Sequence, residues 1–225
     1  MFGSGSRLLP FFEEFIRSPV ITRFAWSPLI DSAISENTDI LIPHENIMHK
    51  FNVSDISQPI SGLLAVHVRR GDFDEHCRRL ANWGSDIQGW FKHPELPDNF
   101  IVPNGIGEDP PRKEVEDYYN AHCWPSMEQI AARIADIRKT PEAAGLKGVY
   151  ILTNGPREWA AELKGMIKGM GGWELVHSSR DLRLTAEQKY IGQAIDMAIS
   201  TRAQIFIGNG VSILLSEKFS NIGTV

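Results

Sequence analysis

Short apolar runs alternate with longer amphipathic stretches along most of this chain, and that alternation predicts strands separated by helices. Leu64, Ala65, Val66 and Val68 make the first run, short and apolar enough for a buried strand. Ser126-Met127-Glu128-Gln129 has the form of a capping box, and Ile130, Ile134 and Ile137 then fall on one helical face. Gly148 to Thr153 predicts a second strand. Pro156 sits where the next helix begins, and Trp159, Leu163, Met166 and Ile167 suit its buried side. Trp173 to His177 predicts a third strand. Thr185-Ala186-Glu187-Gln188 repeats the capping box and opens a helix that turns Ile191, Ile195, Ala198 and Ile199 inward. Ala203 to Ile207 predicts a fourth strand, followed by Gly208-Asn209-Gly210 and a short helix from Val211. This order predicts an α/β fold, a doubly wound, mainly parallel sheet in a single Rossmann-like domain over residues 61–225.

Two stretches break the rhythm. Residues 1–60 read as an N-terminal helical extension. Leu8, Leu9, Phe12, Phe15 and Ile16 make one apolar stripe, which Pro19 interrupts. Ser27-Pro28 opens a second helix through Ala33, and the run DILIP at 39–43 suits a short strand. Residues 82–125 show no clear period and carry Pro94, Pro97, Pro103, Pro110 and Pro111. A structureless segment of that length inside a domain is usually functional or disordered. Trp83, Trp90, Phe91, Phe100, Tyr118, Tyr119 and Trp124 argue against plain disorder. The stretch reads as an irregular but packed insertion near the end of the first strand, placed to serve as a lid.

Composition narrows the class. A chain of 225 residues, 42% hydrophobic and 23% charged, is long enough for a real core. A net charge of −5 argues against coating nucleic acid, so any basic feature must be a local pocket. No apolar run reaches the roughly 18 residues of a membrane span. The opening MFGSGSRLLPFFEEFIRS is a poor signal peptide, its apolar segment being short and interrupted by Glu13 and Glu14. Cys77 and Cys123 each follow a histidine; they are open to one disulfide or to two free thiols. The His-Cys pairs lack the spacing of structural zinc sites, since neighbouring ligands point apart. Asn52-Val53-Ser54 is a glycosylation sequon, informative only in a secreted chain.

The chemistry gathers at strand ends. The first apolar run stops at His67-Val68-Arg69-Arg70-Gly71-Asp72. Strand alternation puts His67 and Arg69 on one side and Arg70 on the other. Guanidiniums there need an anion or a carboxylate, and a phosphate fits the planar fork of donors. The competing reading of Arg70 is an internal salt bridge to Asp72 or Asp74, and His67 could be a satisfied core histidine. Thr153-Asn154-Gly155 follows the second strand as a turn and helix cap, with Asn154 also a candidate ligand. Asp196 lies on a largely apolar helix; it suits either a pair with Arg202 or Lys189, or paired N–H donors of a purine or a ribose hydroxyl. Gly208-Asn209-Gly210-Val211-Ser212 lets the backbone approach a ligand and offers a helix start to phosphate. Neither a GxGxxG fingerprint nor a GxxxxGK[ST] loop exists. Asp72-Phe73-Asp74 matches a DxD metal motif, but two arginines precede it and no metal is expected there.

Three motifs in order resemble the carboxyl-terminal, donor-binding half of the GDP-fucose protein O-fucosyltransferase family. HVRRGDF at 67–73 is similar to its His-x-Arg-x-Gly-Asp-Phe motif, VYILTN at 149–154 to its second strand, and IDMAISTRAQIFIGNGVS at 195–212 to its ending. Fungal-type members carry HVRRGDF followed closely by His-Cys, as in DEHC here. The resemblance implies a GT-B enzyme that moves fucose from GDP-fucose to a Ser or Thr hydroxyl, with no metal and no cofactor beyond the donor. Arg69 would be the catalytic group, holding the β-phosphate. His67, Arg70, Asn154, Asp196, Asn209 and Ser212 would complete the substrate site. The partners implied are a nucleotide sugar and a protein acceptor. Kinship with secretory-pathway enzymes implies an ER or Golgi lumen and a Cys77–Cys123 disulfide.

The chain departs from the family in three places. The amino-terminal acceptor half is missing, Ser212-Ile213 stands where the family often has two hydroxyls, and the sequence stops at Val225. The expectation is therefore a donor-binding half, with a non-catalytic nucleotide-sugar-binding or interaction module as the alternative. A phosphate-handling hydrolase is weaker, because no nucleophile with an adjacent base is evident.

Overall fold

Side chains along Ile60–His67 alternate between two buried faces, and that alternation decides the architecture. In the computed structural model, which describes residues 9–43, 58–71, 73–85, 100–103 and 112–208, this segment is β1. Three further strands follow, β2 (Gly148–Leu152), β3 (Leu175–Ser178) and β4 (Ala203–Gly208). They form one sheet in the order β3-β2-β1-β4, every pairing parallel. Parallel strands need crossovers, and helices supply them on both faces. The fold is the doubly wound α/β arrangement that the sequence predicts.

The helices in chain order are α1 (Phe12–Ile16), α2 (Pro19–Thr22), α3 (Pro28–Ser35) and α4 (Thr38–Leu41) before β1. Between β1 and β2 come α5 (Phe73–Trp83), α6 (Lys113–Cys123) and α7 (Met127–Ile137). Helix α8 (Arg157–Gly169) joins β2 to β3, and α9 (Ala186–Tyr190) and α10 (Gly192–Arg202) join β3 to β4. Leu63, Ala65, Tyr150 and Leu152 pack on one face against Ile30, Ala33 and Ile34 of α3, Leu41 and Ile42, and Ile195, Ala198 and Ile199 of α10. Leu64, Val66, Val149, Ile151 and Val176 pack on the other against Ile130 and Ile134 of α7 and Leu163 and Ile167 of α8. Residues 28–42 thus supply part of the cover on one face of the sheet.

Both capping boxes form: Ser126 accepts from the Gln129 N–H and Thr185 from the Gln188 N–H, each returned by the glutamine side chain. Four local expectations change. DILIP is not a strand; Thr38–Leu41 is one helical turn, and Ile42 is extended. The change of backbone lets Leu41 and Ile42, adjacent in sequence, both reach the core. Pro19 opens α2 instead of only ending α1. The third strand starts at Leu175, not Trp173. The helix after Thr185 breaks at Ile191 into α9 and α10.

The largest difference lies in the insertion. Where residues 82–125 read as irregular, α5 runs into that stretch and α6 fills its end. Helix α5 buries only Cys77 and Ala81, and α6 buries Val115, Tyr119 and Cys123. With so little apolar surface on each, the period is faint. A disulfide between Cys77 and Cys123 (Cα–Cα 5.8 Å) fastens the pair. Phe100 joins Tyr119, Val115 and Ala81 in a small separate core, its ring 5.1 Å from that of Tyr119.

Candidate functional site

The chain leaves β1 for β2 and β3, then returns to the other side of β1 for β4. The direction reverses between β1 and β4, and the carboxyl ends flanking that reversal are where open α/β sheets bind ligands. His67 closes β1 there, in register with Leu152 of β2 and Gly208 of β4.

Beyond His67 the chain stays extended because four hydrogen bonds hold it. The Val68 N–H donates to the Leu152 carbonyl (2.8 Å), and the Thr153 hydroxyl donates to the Val68 carbonyl (2.7 Å). The Arg70 N–H donates to Asn154 Oδ1 (2.6 Å), and Asn154 Nδ2 returns a bond to the Arg70 carbonyl (3.0 Å). Side-chain alternation therefore continues through the two arginines and sends them to opposite faces.

Arg69 falls on the face of His67. Its guanidinium lies over the Phe73 ring, 4.0 Å from the centroid, and its Nε is buried with no hydrogen-bond partner. Among the described residues no carboxylate pairs with it. His67 is half-buried, with an unpartnered Nδ1. Burial, reinforced by the Arg69 charge, pushes its pKa down to about 4, so the ring is neutral near neutral pH. Among the described residues, then, a neutral imidazole stands beside a guanidinium that no carboxylate neutralises.

Asp196 of α10 is on the same face. Its Oδ1 accepts from the Tyr150 hydroxyl (2.6 Å) and its Oδ2 from Ser179 (2.8 Å), and the Thr153 N–H donates to Ser179 Oγ (3.1 Å). Burial raises the carboxyl to about 6, against the lowering pull of its two hydroxyl donors and Arg180. The Tyr150 hydroxyl is pushed well above its ordinary value by burial and by that carboxylate, so it stays a donor. Neither Arg202 nor Lys189 is its partner. Sequence reasoning missed Tyr150 and Ser179. The signal was a tyrosine in a fully buried strand, whose hydroxyl must find an acceptor.

Two predicted ligands have other work. Arg70, 5% exposed, lies between Trp124 and Trp159 (4.6 and 4.5 Å to the ring centroids) and donates to the Pro125 carbonyl. It faces away from His67 and Arg69, and burial lowers its pKa to about 10. Of the two carboxylates weighed as alternative partners for Arg70, Asp74 pairs with Arg78 instead (3.1 Å). Asn154 spends its amide on the Arg70 backbone, stapling the end of β2 to the end of β1. Asp72, Asn209 and Ser212 lie outside the described residues, as does the sequon at Asn52. Among the described residues no group of three or more His, Cys, Asp or Glu could hold a metal ion, and no helix is long and apolar enough to cross a membrane.

What the fold and the strand ends define is an α/β domain with a basic strand end at its topological switch. No family model matches the chain, and no curated protein matches it. Among solved structures it is similar to POFUT1 in complex with GDP, at 17% identity over 85% of this chain and 43% of that one, TM-score 0.48. It is similar to a second crystal form of that complex at 18% identity over 88% of this chain and 45% of that one, TM-score 0.46. It is also similar to POFUT1 in complex with GDP-fucose, at 18% identity over 85% and 41%, TM-score 0.42. The chain spans less than half the length of those it matches, and no residue role is carried over from them.

Proposed function

We propose that this chain is the donor-binding half of a GDP-fucose-dependent O-fucosyltransferase. Arg69 receives the diphosphate, His67 lies beside the donor, and Asp196 meets the N–H donors of the guanine; Asn209 and Ser212 complete the phosphate cradle. The observation that carries this reading is the Arg69 guanidinium, stacked on Phe73 at the switch end of the sheet with no carboxylate among the described residues to neutralise it. A guanidinium left uncompensated in a partly dry site is costly unless an anion meets it. Transfer without a metal needs such a group to take up charge as the diphosphate leaves. Asp196 supports the other end: two of its lone pairs are used by Tyr150 and Ser179, and the half-buried carboxylate keeps others for paired donors.

Titration calorimetry with GDP and GDP-fucose tests this. GDP binds, and Arg69→Ala weakens it by about 10- to 100-fold, the worth of one charge-assisted contact. No heat with either nucleotide, or equal affinity in the variant, ends the donor-site reading. Fucose transfer to a Ser or Thr peptide by this chain alone would add turnover to binding.

A further inference from the structure

Two adjacent arginines at a strand end pose a problem of choice. They carry the same side chain, and a rotation of the strand end would exchange their faces. The donor site needs one particular arginine on the side of His67. Backbone hydrogen bonds at Val68 and Arg70 fix the strand on either side of Arg69. They set the direction in which each side chain leaves the backbone, but each uses main-chain atoms of the β1 end, so none of them holds a guanidinium in place.

A side-chain anchor comes from the opposite face. Trp124, directly after α6, and Trp159, on α8, form a slot around the Arg70 guanidinium, closed by the Pro125 carbonyl. Gly155 stands against this slot, where a Cβ would come within 3.3 Å of Arg70 Cγ and 3.0 Å of the Trp159 ring. We propose that Arg70 is a positioning residue: its capture between Trp124 and Trp159 anchors the strand end against rotation, and so presents Arg69 to the diphosphate. This deepens the donor-site reading and rests on it for the identity of the ligand. Flat guanidinium stacking on two indoles is a task for which lysine is a poor substitute. The slot also joins three elements distant in sequence, so the strand end is set by the folded insertion as well as by the sheet.

The test separates positioning from simple support of the fold. Arg70→Met keeps an unbranched apolar chain in the slot but no cation. It weakens GDP binding by about tenfold or more in the Arg69-containing protein. In an Arg69→Ala background the same change alters affinity by less than about twofold, because Arg70 acts only through Arg69. Trp124→Phe, which keeps an aromatic face, stays near wild type, whereas Trp124→Leu follows Arg70→Met. A purely structural role gives equal losses with and without Arg69, and that result overturns the proposal. A ligand-free measurement runs alongside: the Arg69 Nε–Hε resonance, assigned by its loss in Arg69→Lys, is resolved in wild type. It collapses to the solvent-averaged position in Arg70→Met. An unchanged resonance refutes the proposal even if wild type binds no GDP, whereas absent GDP binding with a collapsed resonance removes only the nucleotide reading.

Discussion

Replacing Asp196 by asparagine should make this protein more stable at neutral pH. The carboxylate accepts from Tyr150 and Ser179, yet burial outweighs those bonds and lifts its pKa from the ordinary 3.8 to about 6. A raised acid constant means that the folded chain holds a proton which the unfolded chain has released between those two values. The associated stability is present below about pH 4 and is lost as the pH rises through about 6. A shift of about two units corresponds to about 3 kcal/mol of penalty at neutral pH. An asparagine keeps the Tyr150 bond on its oxygen and can donate to Ser179 Oγ, which has the Ile151 carbonyl as an alternative acceptor. Urea denaturation of both proteins from about pH 4 to about pH 8 reads the effect. The variant gains up to about 3 kcal/mol at the alkaline end, roughly 6–12 °C in Tm, and the gain vanishes near pH 4. His67 works with the opposite sign. Its pKa, lowered to about 4, makes stability rise with pH between that value and 6.5, but it is present in both proteins and cancels in the difference. A difference that does not vary with pH, or a variant less stable at pH near 8, refutes the reasoning.

Removing the Cys77–Cys123 bridge by a double alanine substitution releases a loop closed over 46 positions, worth about 4 kcal/mol in the chain-entropy account. A fall of Tm by roughly 8–16 °C is expected, and reductant should lower wild type toward the variant without moving the variant itself. Asn37→Ala removes the side chain that donates to the Ala33 and Arg183 carbonyls and accepts from the Arg183 N–H. With Asn37 fully buried, about 2 kcal/mol of stability should go, measured by urea titration at fixed pH.

Much of the fold is legible in the sequence because the sheet and its covering helices bury wide apolar faces. Ile130 and Ile134, Leu163 and Ile167, Ile195 and Ile199 all announce a helical period, and all end in the core. The insertion is harder to read because α5 and α6 rely on a disulfide and a few aromatics. Val115, Tyr119 and Cys123 do stand at helical spacing, but only one of the three is an ordinary aliphatic residue. DILIP misleads for a different reason: consecutive apolar residues suit a buried strand, and a helical turn followed by an extended residue buries them equally well. At the site, alternation separates Arg69 from Arg70, but it cannot say which face holds two tryptophans. Trp124 and Trp159 lie 54 and 89 positions from Arg70, counted from their numbers, and only the folded chain brings them to it. Asp196 is legible as a polar residue on an apolar helix, whereas its hydroxyl partners come from the middle of β2 and from the residue after β3.

The cystine also determines what a broken chain would look like. A single peptide-bond cut anywhere between Cys77 and Cys123 leaves two polypeptides still covalently joined. One piece then carries both arginines and the other carries Trp124 and Trp159. Such a nicked molecule would run at full mass on a gel until reductant is added, then fall into two bands, so its integrity can be judged only under both conditions.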